Sequence, residues 1–244
     1  MCQKKKLQRI VTAILWLVLC SSSRAENVVG DSPRHQATPY MFASIQGGLQ
    51  TTFTKGYNNT KLITPTTSVS FGAFLTPYIG TRLHINGLWN KGGYAGGGMD
   101  FKYNYKYTTI NIDMMINIVN LICRREYSPV NVYLINGFGL NLAWDNNDAY
   151  THKDVLPYAY NKCNFSHNIR LGLMVDYNIT KNFCIDLEIN GNNLGDRYNS
   201  KLSNHTDWQL TAQLGVAFKF AFKKPIHSST NTPNSAPLAK SAPF

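Results

Sequence analysis

Arg82 and His84, Arg170 and Asp176, and Asp186 and Glu188 form pairs an even number of residues apart, each within a stretch where apolar and polar residues alternate; Asp113 sits likewise in a fourth stretch. On a strand such pairs share one face. Three basic or imidazole groups and four carboxylates on a common face can build an interior network of ion pairs and hydrogen bonds. Other chemistry is poorly supplied. Ser166 and His167 could serve as nucleophile and base, but successive strand residues point to opposite faces, which disfavours a direct pair. His152 and His205 fall in loop-like sequence, and no G-x-S-x-G is present. The glycine run Gly92-Gly93-Tyr94-Ala95-Gly96-Gly97-Gly98 lacks the lysine of a phosphate loop. Asn58, Asn164 and Asn204 head glycosylation sequons, which Asn-rich loops produce by chance. Cys123, Cys163 and Cys184 are irregularly spaced and make neither a disulfide framework nor a metal site. The expectation is a chain without catalysis, metal or cofactor.

The elements that must position the seven residues are strands. Charged residues make up only 15% of the 244, while Tyr (14) and Phe (12) are plentiful, a composition that excludes general disorder. Mean hydropathy is −0.24, which excludes a bundle of transmembrane helices. After residue 25 the apolar residues are spread with period two. Five stretches alternate cleanly, around residues 68–75, 79–89, 169–177, 183–190 and 208–220, with Leu88 falling among the polar set. Three less regular ones span Tyr40–Thr54, Asp100–Val119 and Pro129–Trp144. The eight segments are joined alternately by short connections (Thr76-Pro77, Asn120–Ser128, Thr180-Lys181) and by mostly longer polar ones (Lys55–Pro65, Asn90–Met99, Asp145–Phe165, Gly191–Thr206). That pattern predicts an all-β, eight-stranded antiparallel up-and-down transmembrane β-barrel, with short turns and both termini on the periplasmic side.

Parity decides between lipid and water as the outer solvent. A soluble barrel turns its apolar set inward, whereas a membrane barrel turns it to lipid. The apolar sets contain no charge; the opposite sets hold Arg82, His84, Asp113, Arg170, Asp176, Asp186 and Glu188. A secreted soluble ligand-binding barrel would have to bury all of these in an apolar core, so it is the remote alternative. Tryptophan supplies a separate indication. Trp89, Trp144 and Trp208 fall at the extracellular rim in apolar-face register, and Tyr78, Tyr177, Phe183, Phe218 and Phe220 fall at the other, as interfacial girdles require. The fourth strand strains this scheme. Lys102, Asn104 and Lys106 share the parity of Ile110, Ile112 and Met114, so residues 100–107 are expected above the bilayer, with a bulge that shifts register.

The termini carry most of the charge. Of 24 basic and 13 acidic residues, five basic ones precede residue 26 and three follow Phe220, leaving 16 against 13 between. No basic stripe marks a nucleic-acid partner. Residues 1–25 read as a signal peptide: a basic stretch, about ten apolar residues and Ser23-Arg24-Ala25. Leu17-Val18-Leu19-Cys20 is close to a lipidation box, with Leu19 where a small residue is usual. Residues 26–39 are expected as a periplasmic segment, 40–220 as the barrel, and 221–244, rich in Pro, Ser and Asn, as a disordered tail.

Three stretches resemble the N-terminal barrel of OmpA-like outer-membrane proteins, particularly the Bacteroidetes type. They are Asn111-Ile112-Asp113-Met114-Met115-Ile116-Asn117-Ile118-Val119-Asn120-Leu121-Ile122; Tyr127-Ser128-Pro129-Val130 with Gly137-Phe138-Gly139-Leu140; and Asp186-Leu187-Glu188-Ile189-Asn190 with Asn193-Leu194-Gly195-Asp196-Arg197-Tyr198-Asn199 and Gly215-Val216-Ala217-Phe218-Lys219-Phe220. The resemblance implies a bacterial outer-membrane location, outer-membrane lipid and lipopolysaccharide as surroundings, and delivery by the barrel-insertion machinery. Many such proteins continue into a peptidoglycan-binding domain, for which no segment is found after Phe220. The expected role is structural or surface-interacting, in a monomer with a side-chain-filled lumen. A narrow ion-conducting pore is one alternative. Another is adhesion to a host cell or phage through loop 145–165, with Tyr150, Tyr158 and Tyr160.

Overall fold

The computed structural model describes residues 38–53, 59–124, 128–157, 159–160, 163–195 and 207–221. The expected signal peptide, the segment up to residue 37 and the tail from residue 222 lie outside them. Eight strands follow in order: β1 (Tyr40–Phe53), β2 (Thr64–Phe74), β3 (Ile79–Gly96), β4 (Met99–Asn117), β5 (Val130–Trp144), β6 (Asn164–Asn178), β7 (Phe183–Leu194) and β8 (Asp207–Ala221). Each pairs antiparallel with the next, and β1 pairs with β8 from Tyr40–Ala221 to Phe53–Trp208, closing the ring. Closure leaves no open sheet edge.

Alternation in sequence becomes alternation across the wall. In β2 the buried positions are Thr64, Thr66, Ser68, Ser70, Gly72 and Phe74, while Val69 and Phe71 are exposed. Phe138 is 68% exposed and Ile45 60%, whereas Arg82, Asp113, Arg170 and Glu188 are at most 2%. An apolar exterior running round a whole barrel far exceeds the few hundred Å² that water tolerates. Its solvent is lipid, and the soluble alternative fails on this parity. The barrel is a transmembrane one.

Departures from expectation concentrate where strands outrun the membrane. Asn90–Met99 is not a loop: β3 and β4 stay in one register from Ile79–Ile116 to Gly96–Met99. Gly97 and Gly98 alone make the turn, at φ +57° and +79°, values that suit a primed hairpin turn and that other residues adopt at a cost. The glycine-rich sequence imitates a loop because its strand pairing comes entirely from β4. The expected bulge in β4 is absent as well. Register with β3 and with β5 is constant, so Lys102, Asn104 and Lys106 stay outward and Tyr103, Tyr105 and Tyr107 stay inward. Strand length resolves the strain: the outward lysines simply stand above the apolar band. β2 and β6 also begin earlier than expected, at Thr64 and Asn164.

The short-turn side carries one extra element. After β4, helix α1 (Ile118–Cys123) is capped by the Asn117 side chain, which accepts from the Asn120 amide at 3.0 Å. Aromatic residues mark both rims. Phe183 meets Phe218 edge-on at 5.0 Å, and Phe218 and Phe220 stack at 6.1 Å. Tyr177 is exposed and Tyr78 half-buried on that side; Trp89 and Trp208 are exposed and Trp144 half-buried at the other.

Candidate functional site

The lumen is the site, because it holds every ionisable residue that parity turns inward. Its middle layer is a quartet of opposite charges. The Arg82 guanidinium donates to Glu188 through both terminal nitrogens, at 2.8 and 2.5 Å, and its Nε donates to Asp113 Oδ2 at 2.9 Å. Arg170 Nη1 donates to the same Asp113 oxygen at 3.2 Å and lies 3.9 Å from Glu188 Oε1. Two planar cations thus bridge two carboxylates, and the formal charges cancel. The sheet makes this possible by register. Arg82 faces Asp113 directly, Asp113 faces Gly137, and Gly137 faces Arg170. A Cβ on Gly137 would sit 2.0 Å from Asp113 Oδ1, so the glycine opens the path between Asp113 and Arg170.

Neutral polar groups complete the quartet. Gln46 donates to Glu188 at 3.1 Å and also to Asp186, and Asn190 donates to Glu188 at 2.9 Å. Arg170 donates to Asn192 at 3.1 Å and to Asn86 at 3.4 Å. His84 stands beside the quartet, with Nδ1 2.8 Å from Ser70 Oγ and Nε2 without a protein partner. Asp176 belongs elsewhere: nearer the short turns it accepts from Lys219 at 3.1 Å and from Tyr133 at 3.2 Å. All seven expected residues are therefore buried inward, but in two assemblies. Lys219, 6% exposed, is the cation missing from the expected set. Alternation in β8 does place it inward with Gln209, Thr211 and Gln213.

The lumen is closed at both ends by apolar side chains. Around Lys219, whose ammonium lies 5.7 Å from the Tyr40 ring centroid, Tyr40, Phe42, Phe74, Met115, Tyr133, Ile135 and Met174 pack into one cluster carried wholly by strands. Above the quartet runs an amide belt: Asn168 donates to Asn111 at 2.6 Å, and Gln209 donates to Gln50 at 3.0 Å. Tyr107 donates to the same Gln50. The outer mouth is then covered by the connection after β5, which holds the short helix α2 (Asn147–Tyr150). Ala149 and Leu156 are wholly buried against Tyr103, Tyr105 and Tyr107, and His152 stacks on Phe101 at 4.2 Å. The loop named above for surface adhesion is thus also a lid on the lumen. Tyr150 is 39% exposed, but Tyr160 packs on the buried cluster, where burial raises the pKa of its phenol; Tyr158 lies outside the described residues. Sparse apolar anchors in an Asn- and Asp-rich stretch hid this from sequence reasoning.

Ser166 and His167 are consecutive residues of β6 and point to opposite faces of the wall. The three cysteines of the described residues are unpaired, with Cys184 buried and Cys163 exposed. Among the described residues no group of three metal-binding side chains comes together.

No family model matches the chain, and no curated protein matches it. Among solved structures it is similar to Neisserial surface protein A, at 17% identity over 74% of this chain and 97% of that one, with a TM-score of 0.49. It is also similar to the outer membrane protein OprG from Pseudomonas aeruginosa, at 14% identity over 79% of this chain and 100% of that one, with a TM-score of 0.48. Ail, the attachment invasion locus protein of Yersinia pestis, shares 15% identity over 75% of this chain and 99% of that one, with a TM-score of 0.44. The function follows instead from the lumen and the wall.

Proposed function

We propose that this chain is a monomeric integral protein of a bacterial outer membrane, with a structural and surface-presenting role and a lumen that carries no traffic. The observation that supports this is the quartet of Arg82, Asp113, Arg170 and Glu188, buried at the centre of a barrel whose exterior is apolar. An eight-stranded barrel is only wide enough for side chains to fill it. Here they fill it with charges paired to one another, and opening a path would separate two cations from two carboxylates in a low-dielectric interior. In this reading the termini are periplasmic, the chain reaches the membrane through the insertion machinery, and its relationship is to OmpA-like barrels of the Bacteroidetes type. It uses no cofactor and no nucleic acid.

Surface interaction would fall to the outward side of the lid. Asn147, Asp148, Tyr150 and residues 151–154 are exposed there, and Lys153 lies 5.7 Å from the Tyr150 ring centroid. Polar and aromatic groups held on a packed support suit recognition of a host-cell or phage surface.

Two measurements test the proposal together. The folded barrel should migrate differently from the boiled chain in SDS electrophoresis of the outer-membrane fraction. In planar bilayers it should give no steady conductance steps. Steady steps whose size or open time rises when Arg82 or Arg170 is altered would replace the closed structural role with that of a gated pore.

A further inference from the structure

The wall between β2 and β3 is paired over only part of its height. Their ladder ends at Thr67 opposite Gly87. Yet β2 continues to Thr64 against Gln50 of β1, and β3 continues to Gly96 against β4. Where the two strands part, Leu88 and Trp89 are both exposed, at 38% and 44%, although they are neighbours on one strand. Leu88 therefore leaves the inward set that alternation gives it. Polar side chains bridge the split from within: Asn90 donates to Thr52 at 2.8 Å, Thr64 donates to Asn90 at 3.2 Å, and Gln50 donates to the Trp89 carbonyl at 3.2 Å.

On its outer side the split is a groove of about 430 Å³, within the range of ~300–1,000 Å³ typical of ligand pockets. Thr67, Gly87 and Thr108 align across β2, β3 and β4 to give it a floor of small residues. Val69, Ile85, Trp89 and Trp144 form apolar walls, and Lys106 forms the upper lip. Trp89, Lys106 and Trp144 are one cross-strand row, so the lysine is flanked by a tryptophan on each neighbouring strand, at the level where membrane gives way to water. Lys91 and Lys102 stand just above on the same outward face. Lys106 Nζ is 2.8 Å from Asp145, with the two side chains 57% and 44% exposed. An exposed pair of this kind is weak, and a doubly charged phosphate can displace the carboxylate.

We infer that this groove seats one acyl chain of a phosphorylated glycolipid of the outer leaflet, with the lipid's phosphate on Lys106. The inference rests on the outer-membrane reading above. An apolar trough facing lipid can be filled only by lipid chain, and the three lysines at its top give the anionic headgroup its place. The groove lies on the long-loop side of the barrel, in the leaflet away from the termini, and that position selects the glycolipid over a glycerophospholipid.

The full chain, refolded into nanodiscs of phosphatidylcholine with a minor fraction of bisphosphorylated lipid A, tests this by native mass spectrometry of the released protein. The wild type should retain one lipid A. Lys106→Gln should lower its occupancy about fivefold, the effect of one lysine near an anionic surface. Thr67→Trp, which fills the groove from the lipid side without touching a charge, should lower it comparably. Lipid A stripped of phosphate should bind the wild type no better than intact lipid A binds Lys106→Gln. Equal retention by all three proteins overturns the site, and equal retention of phosphatidylglycerol overturns the choice of glycolipid. Heat-modified mobility of each variant shows that it is folded. A wild-type chain that never enters the nanodisc overturns the membrane reading itself, and the site with it.

Discussion

The middle of the lumen and its outer mouth are both sealed, by opposite means. At the middle, Arg82, Asp113, Arg170 and Glu188 sit on strands in fixed register and hold one another by charge. At the mouth, Ala149 and Leu156 come from a connection and hold to Tyr103, Tyr105 and Tyr107 by apolar contact. A strand-borne network has no freedom to move without breaking the ring, whereas a loop-borne lid can open while the barrel persists. Stability should therefore reside in the first and local motion in the second.

The strongest way to break that contrast is to remove one cation. Arg82→Met leaves Glu188 and Asp113 short of their partner in a dry interior, and it should cost about 3–5 kcal/mol in urea unfolding from lipid vesicles. An unchanged midpoint would show that the quartet is not what holds the middle. Gly137→Ala should act on the same layer more gently, by about 1–3 kcal/mol, since its methyl intrudes on Asp113 and pushes it from Arg170. Leu156→Ala sharpens the comparison from the other side. It should loosen lid packing by about 2 kcal/mol, read as faster proteolysis within residues 145–160, while the barrel's unfolding midpoint stays in place. If the midpoint falls as far as in Arg82→Met, lid and barrel are one cooperative unit. The smallest effect belongs to Asp145→Asn: losing the exposed pair with Lys106 should change stability by less than about 1 kcal/mol.

These two regions also differ in how far the sequence discloses them. Period-two alternation is a local property, and it sorts Arg82, Asp113, Arg170 and Glu188 to one face because constant register preserves parity along each strand. It cannot say that Arg82 meets Glu188, 106 residues away, since that depends on how the strands stagger around the ring. Lys219 shows a different gap: its parity is visible in the β8 pattern, but its partner Asp176 lies two strands distant, across β7. The mouth is less legible still. Neither the continuation of β3 through Gly92, Gly93 and Gly96 nor the anchoring of Leu156 has a periodic signal. Both depend on contacts supplied by other segments, β4 in one case and the row of tyrosines in the other.

Gln46 has a consequence for how the ring is completed. It belongs to the first strand, yet its amide serves Asp186 and Glu188 of the seventh, reaching past β8 across a sequence separation of 140 and 142 residues. Until β1 meets β8, both carboxylates lack that donor, and a partly assembled sheet holds under-satisfied charge at its centre. The seam thus works as a latch whose closing relieves an electrostatic penalty along with the two open edges. A half-zipped sheet carries that penalty, and closing the seam removes it.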